Sequence, residues 1–87
     1  MIRRNGDWLS ARVGDEIMMM SAEKGNYLGL SEVGARIWEL IETPRDMESL
    51  CAVLQQEFEV DAETCRADVG AFVADMGKHG AIAVDQP

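Results

Sequence analysis

One histidine, two cysteines and a scatter of carboxylates are the side chains of this 87-residue chain best equipped for acid–base, nucleophilic or metal chemistry. His79 sits near the end of an apolar-periodic segment, where an imidazole meets a helix C-terminus rather than a substrate. No Ser/His/Asp or Cys/His set can be assembled without it, and a Gly-x-Ser-x-Gly elbow is absent. Cys51 and Cys65 are too few and too widely spaced for a disulfide framework or a zinc site. They fall on the apolar stripes of neighbouring helices and read as small core residues, with a facing redox pair as the alternative. Gly25-Asn26-Tyr27-Leu28-Gly29 lacks the spacing of a phosphate loop. No catalytic residue, metal ligand or cofactor is therefore expected. What remains is main-chain hydrogen bonding, and residues 26–30 are placed to offer it.

Those residues read as a short strand that runs straight into a helix start at Ser31. The helix carries Val33, Ile37, Leu40 and Ile41 at i, i+4, i+7 and i+8, and Trp38 falls at the margin of that stripe. Upstream, Trp8–Val13 alternates loosely and stops at the turn dipeptide Gly14-Asp15. Glu16–Ser21 then holds Ile17-Met18-Met19-Met20, of which at least one methionine must point into the core. Residues 22–25 read as a hairpin loop. Turns this short join only antiparallel strands, so the three form a meander with the first and third at its edges. A last strand over residues 81–84 is placed to cover one of those edges.

Three helices follow the meander. The first is capped by Ser31 and stops near Glu42, because Pro44 disfavours helical geometry at Thr43. Asp46 caps the second, whose stripe is Met47, Leu50, Cys51, Leu54 and Phe58. Asp61 caps the third, striped by Cys65, Val69, Phe72, Val73 and Met76, with Gly80 as its stop. Gly70 and Gly77 either admit a close backbone or are simply tolerated. The reading is an α+β fold in a single domain over residues 1–87, winged-helix-like, with a three-stranded antiparallel sheet followed by three helices.

Eight basic against sixteen acidic residues give a net charge of −8. That field repels nucleic acid and anionic membranes and favours basic or neutral partners. A winged-helix nucleic-acid binder is the rival reading, but the third helix sets Arg66 and Lys78 against Glu63, Asp68 and Asp75. No apolar stretch follows Arg3 and Arg4 as in a secretory signal, and no segment nears the ~20 apolar residues of a membrane span. A cytoplasmic protein is expected.

A free strand edge beside a helix can take an extended peptide as one more strand. Main-chain groups of Tyr27, Leu28, Gly29 and Leu30 would supply affinity. Arg66, Val69, Gly70, Val73 and Met76 on the third helix are the candidates for choosing the peptide.

The run Asn26-Tyr27-Leu28-Gly29-Leu30-Ser31-Glu32-Val33-Gly34-Ala35-Arg36-Ile37-Trp38-Glu39-Leu40 resembles the PqqD-like family. So do Glu57-Phe58-Glu59-Val60-Asp61, Asp68-Val69-Gly70-Ala71-Phe72-Val73 and Gly80-Ala81-Ile82, and the likeness extends over residues 9–84. It implies a recognition element for the leader of a ribosomally made precursor peptide. The leader would pair with Asn26, Tyr27, Leu28, Gly29 and Leu30 and neighbour Arg66, Val69, Val73 and Met76. The Tyr-Leu-Gly-Leu-Ser and Arg-Ile-Trp-Glu-Leu phrasing resembles the stand-alone elements of lasso-peptide clusters. A leader peptidase and a downstream cyclase are the partners this implies. Members serving pyrroloquinoline quinone biosynthesis, as peptide chaperones, are the alternative. They carry a Leu-Cys-Asp-Gly-type turn where this chain has Leu40-Ile41-Glu42-Thr43-Pro44.

Overall fold

Ile17, Met19 and Ser21 turn to one side of their strand and are buried, while Glu16 and Met18 turn to the other and are exposed. This alternation orients the whole sheet, because a pleated strand sends neighbours to opposite faces. The computed structural model describes residues 1–85. Its elements are β1 (Ile2–Arg4), β2 (Trp8–Val13), β3 (Glu16–Ser21), β4 (Tyr27–Leu30), α1 (Glu32–Leu40), α2 (Met47–Phe58), α3 (Ala62–Lys78) and β5 (Ile82–Val84).

The sheet β2-β3-β4 is antiparallel throughout, and three helices follow it, an α+β arrangement. Val13 pairs with Glu16 across Gly14-Asp15, and Gly14 takes a φ of +64°. A two-residue hairpin needs that left-handed conformation to match the twist of its strands. Met19 is the methionine that enters the core, at 1% exposure.

The last strand does not cover an edge of this sheet. β5 pairs instead with β1, in the register Ile2↔Val84, Arg3↔Ala83 and Arg4↔Ile82. The sequence of residues 2–4 gives no strand signal, since two arginines within three residues mask the alternation. Both the outer edge of β2 and that of β4 therefore stay open among the described residues.

Asp46 and Asp61 cap α2 and α3 as expected, accepting from the N–H groups of Ser49 and Thr64, each at 2.7 Å. The bonds from Thr64 hold the Asp61 carboxyl below the usual aspartate range. Ser31 occupies the cap position of α1, but its hydroxyl accepts no capping bond. At the far end of α3, the Gly80 N–H donates to Gly77 O at 3.1 Å and the Ala81 N–H to Met76 O at 3.0 Å. With Gly80 at φ +75° this is a Schellman stop. Glycine is not demanded by crowding at Gly70, where a Cβ would meet open space. At Gly77 it would reach Ile82 O only at 3.8 Å.

The core gathers Met19 and Leu30 of the sheet with Ile37 and Trp38 of α1, Leu50 and Leu54 of α2, and Val69 and Met76 of α3. Each fully buried aliphatic of this size contributes about 1.5–3 kcal/mol. Trp38 is a core residue rather than a boundary one, at 3% exposure. Arg4 of β1 lies over its ring, 4.5 Å from the centroid, and donates from Nε and Nη2 to the Trp38 carbonyl at 3.0 and 2.7 Å.

Candidate peptide-binding groove

In β4, Leu28 and Leu30 face the helices, whereas Tyr27 and Gly29 lie on the outer, solvent side. The main chain alternates too. The Ser21 N–H donates to Asn26 O at 2.9 Å, which marks that pair as hydrogen-bonded. In an antiparallel ladder bonded and non-bonded pairs alternate. Met19–Leu28 and Ile17–Leu30 thus share ladder bonds, while Met20–Tyr27 and Met18–Gly29 do not. The N–H and C=O groups of Tyr27 and Gly29 therefore point away from β3, to the open edge.

One flank of α3 meets the helix that continues from β4. A Cβ built on Gly34, in the first turn of α1, would lie 2.8 Å from Phe72 Cε1. Phe72 thus packs against the helix that continues directly from β4. Asp68, Phe72 and Asp75 stand at i, i+4 and i+7 and share this flank. At the other end, Lys24 of the β3–β4 loop brings its Nζ to 3.3 Å from a Cβ built on Gly80, just past α3. The groove thus runs from Val33 and Asp68 towards Lys24 and Gly80.

A cleft of about 260 Å³ opens at the first of these ends, lined by Val33, Leu54, Phe58, Val60, Asp68 and Val69, with Cys65 in its wall. Its shape follows from local backbone. Glu59 adopts the left-handed conformation, φ 48° and ψ 46°, and so breaks α2 and turns Val60 back over the cleft. Arg36 donates from Nε and Nη2 to the two carboxylate oxygens of Glu57, at 2.8 and 3.0 Å, which ties α1 to the end of α2. Burial first, then Cys51, then the charges of Asp68 and Asp61, push the Cys65 thiol up to about 11. A thiol held protonated is a poor nucleophile, and both cysteines are buried and unbridged. Among the described residues, no group of three or more His, Cys, Asp or Glu is placed to hold a metal ion. No helix there is long and apolar enough to cross a membrane.

The α3 residues named from the sequence are not brought together on this flank. Val69 and Met76 belong to the core, at 1% and 2% exposure, and Val69 reaches the cleft only as its floor. Gly70 and Val73 line a different recess with Met1, Ile2, Met47 and Val84. Arg66 shares their flank, since 66, 70 and 73 follow the helical repeat. Phe72 packs instead on Gly34 of the helix that continues from β4, and Asp68 shares a cleft with Val33 of the same helix. Phe72 was in the apolar stripe, but nothing in the stripe distinguished its core side from its groove side.

Gly34 makes the groove testable without unfolding the protein. Alanine there gains about 1 kcal/mol of helix propensity and drives the half-buried Phe72 ring outward. The expected result for Gly34→Ala is a melting temperature within a few degrees of the parent. Affinity for a peptide in the groove should fall about tenfold, roughly 1.4 kcal/mol, measured by titration calorimetry.

The comparisons agree with this architecture. TbiB1, solved in complex with the TbiA(beta) leader peptide, is 26% identical and superposes with a TM-score of 0.87 over 98% of this chain and 99% of that one. A lasso peptide synthetase B1, complexed with the leader peptide, has the same fold at 18% identity, with a TM-score of 0.83 over 95% and 98% of the two chains. No curated protein matches the sequence. The model of the family described as Coenzyme PQQ synthesis protein D matches residues 16–82, from the start of β3 to the start of β5. By that match the chain belongs to the PqqD family.

Proposed function

We propose that this protein binds the leader segment of a ribosomally made precursor peptide, as TbiB1 does in its complex. The leader adds as a strand to the open edge of β4, exchanging hydrogen bonds with Tyr27 and Gly29, and lies along Asp68, Phe72 and Asp75 of α3. The observation that carries this reading is the open β4 edge, followed directly by a helix whose Val33 lines an apolar cleft. The protein itself contributes binding. It hands the leader to a peptidase, with a cyclase acting afterwards, in lasso-peptide maturation. The family match favours one second reading, a peptide chaperone in pyrroloquinoline quinone biosynthesis. The two readings differ in which leader is bound.

The test is a calorimetric titration with the leader half of a precursor encoded beside this gene. Saturable one-to-one binding is expected, and it should be lost when proline replaces a ladder residue of the leader. No heat from a protein verified as folded would overturn the reading.

A further inference from the structure

The cleft beside Val33 has a composition that a plain apolar pocket does not need. Its walls are Val33, Leu54, Phe58, Val60 and Val69, and one carboxylate, Asp68, stands among them. Asp68 makes no hydrogen bond or ion pair among the described residues. Its charge is felt inside the cleft, because it helps to raise the Cys65 thiol in the wall. The cation nearest in sequence to the cleft's α1 wall, Arg36, is already engaged by Glu57 and Glu39. Glu59 and Asp61 flank the lining residue Val60, and Asp75 continues the Asp68 flank along α3. Arg66, the one arginine of α3, is on the opposite flank. An apolar lining beside an unpaired carboxylate matches a side chain with an apolar stem and a cationic head, since such chains bury the stem and keep the charge at the rim.

We infer that this cleft is a subsite for a lysine or arginine side chain of the bound peptide, with its stem against Val33, Phe58 and Val60 and its head on Asp68. This rests on the leader-binding reading for the source of the side chain, though not for the chemistry of the cleft. Asp68 is then a specificity-determining residue. It favours a basic leader residue at one register position and disfavours an acidic one. The head group stays near solvent, so the gain is modest and screened by salt.

Two measurements test it. In the first, n-butylguanidinium chloride is titrated into the full chain and followed by amide chemical shifts. Shifts are expected at Val33, Val60 and Asp68, and Asp68→Asn should abolish them while the remaining spectrum stays that of the folded protein. In the second, each position of the leader half of the precursor encoded beside this gene is replaced in turn by arginine, norleucine and glutamate. One position should bind at least about threefold tighter with arginine than with norleucine, a gain of roughly 0.6 kcal/mol. That gain should vanish in Asp68→Asn and at high salt. Butylguanidinium shifts without any leader binding would leave the subsite standing and remove the proposed function. Leader binding with no Asp68-dependent preference at any position, or shifts centred elsewhere, would overturn the subsite.

Discussion

Gly29→Pro is expected to weaken leader binding about 10- to 100-fold while leaving the fold intact. The Gly29 N–H points to the open edge and takes no part in the β3 ladder, so the folded protein loses no internal bond. An edge strand tolerates proline at such a position. The leader would lose its donor and keep an unpaired carbonyl, a cost of about 1–3 kcal/mol, to which the ring adds a steric block. Two companions make the result specific. Gly29→Ala adds a Cβ that meets only Met18 Sδ at 3.5 Å, an ordinary contact, so binding should persist. Leu28→Pro removes an N–H that serves the ladder to Met19, so it should lower the melting temperature directly. Calorimetry and thermal melts on the three variants separate the cases. Unchanged affinity in Gly29→Pro would move the peptide off this edge, and the open edge of β2 would become the place to look.

Arg4→Ala should destabilise the protein by about 2–3 kcal/mol, a large share of what a chain of this length possesses. Two charge-assisted hydrogen bonds reach one carbonyl at the end of α1, and the same guanidinium stacks on Trp38. Hydrogen bonds involving a charged group contribute about 1.5–3 kcal/mol, and a cation–π contact about 0.5–2. The gains overlap, because one ordering of the side chain serves all of them. At about 4–8 °C per kcal/mol for a domain of this size, the melting temperature should fall by roughly 10–20 °C. Arg4→Lys is expected to recover little of this, since an ammonium offers neither the planar fork nor the stacked face. Equal melting temperatures for parent and Arg4→Ala would show that the clasp is ornamental.

Elements with their own local signals were legible. The Gly14-Asp15 turn, the caps Asp46 and Asp61 and the stop at Gly80 each depend on neighbours in sequence, and each stands where the residues place it. β1 was not legible. Its partners are Ile82–Val84 and Arg45, all far along the chain, and only long-range pairing makes Ile2–Arg4 a strand. The same gap leaves the last strand without a visible partner in the sequence, so its pattern points it to an edge of the meander instead of to β1. The groove was legible as an idea, because the meander's topology leaves β4 at an edge. Its helix wall was not. Apolar periodicity shows which side of α3 is buried, but not which flank of that side meets β4. Val73 and Phe72 are both half-buried apolar residues one position apart. Only the contact with Gly34 assigns Phe72 to the groove.

The pairing of β1 with β5 also fixes where other polypeptides could be attached. The Met1 amine donates to Asp85 O at 2.7 Å, so residues 1 and 85 lie side by side. They lie near the α3 flank of Gly70 and Val73, opposite that of Asp68 and Phe72. Polypeptide entering at residue 1 and leaving past residue 85 therefore does so at one common point, on the flank of Gly70 and Val73. A short linker bridging that point would let the polypeptide be reopened in the exposed Gly14-Asp15 turn. Such a circular permutant would keep the ladder between β3 and β4 and the open edge of β4, with only the order of reading changed.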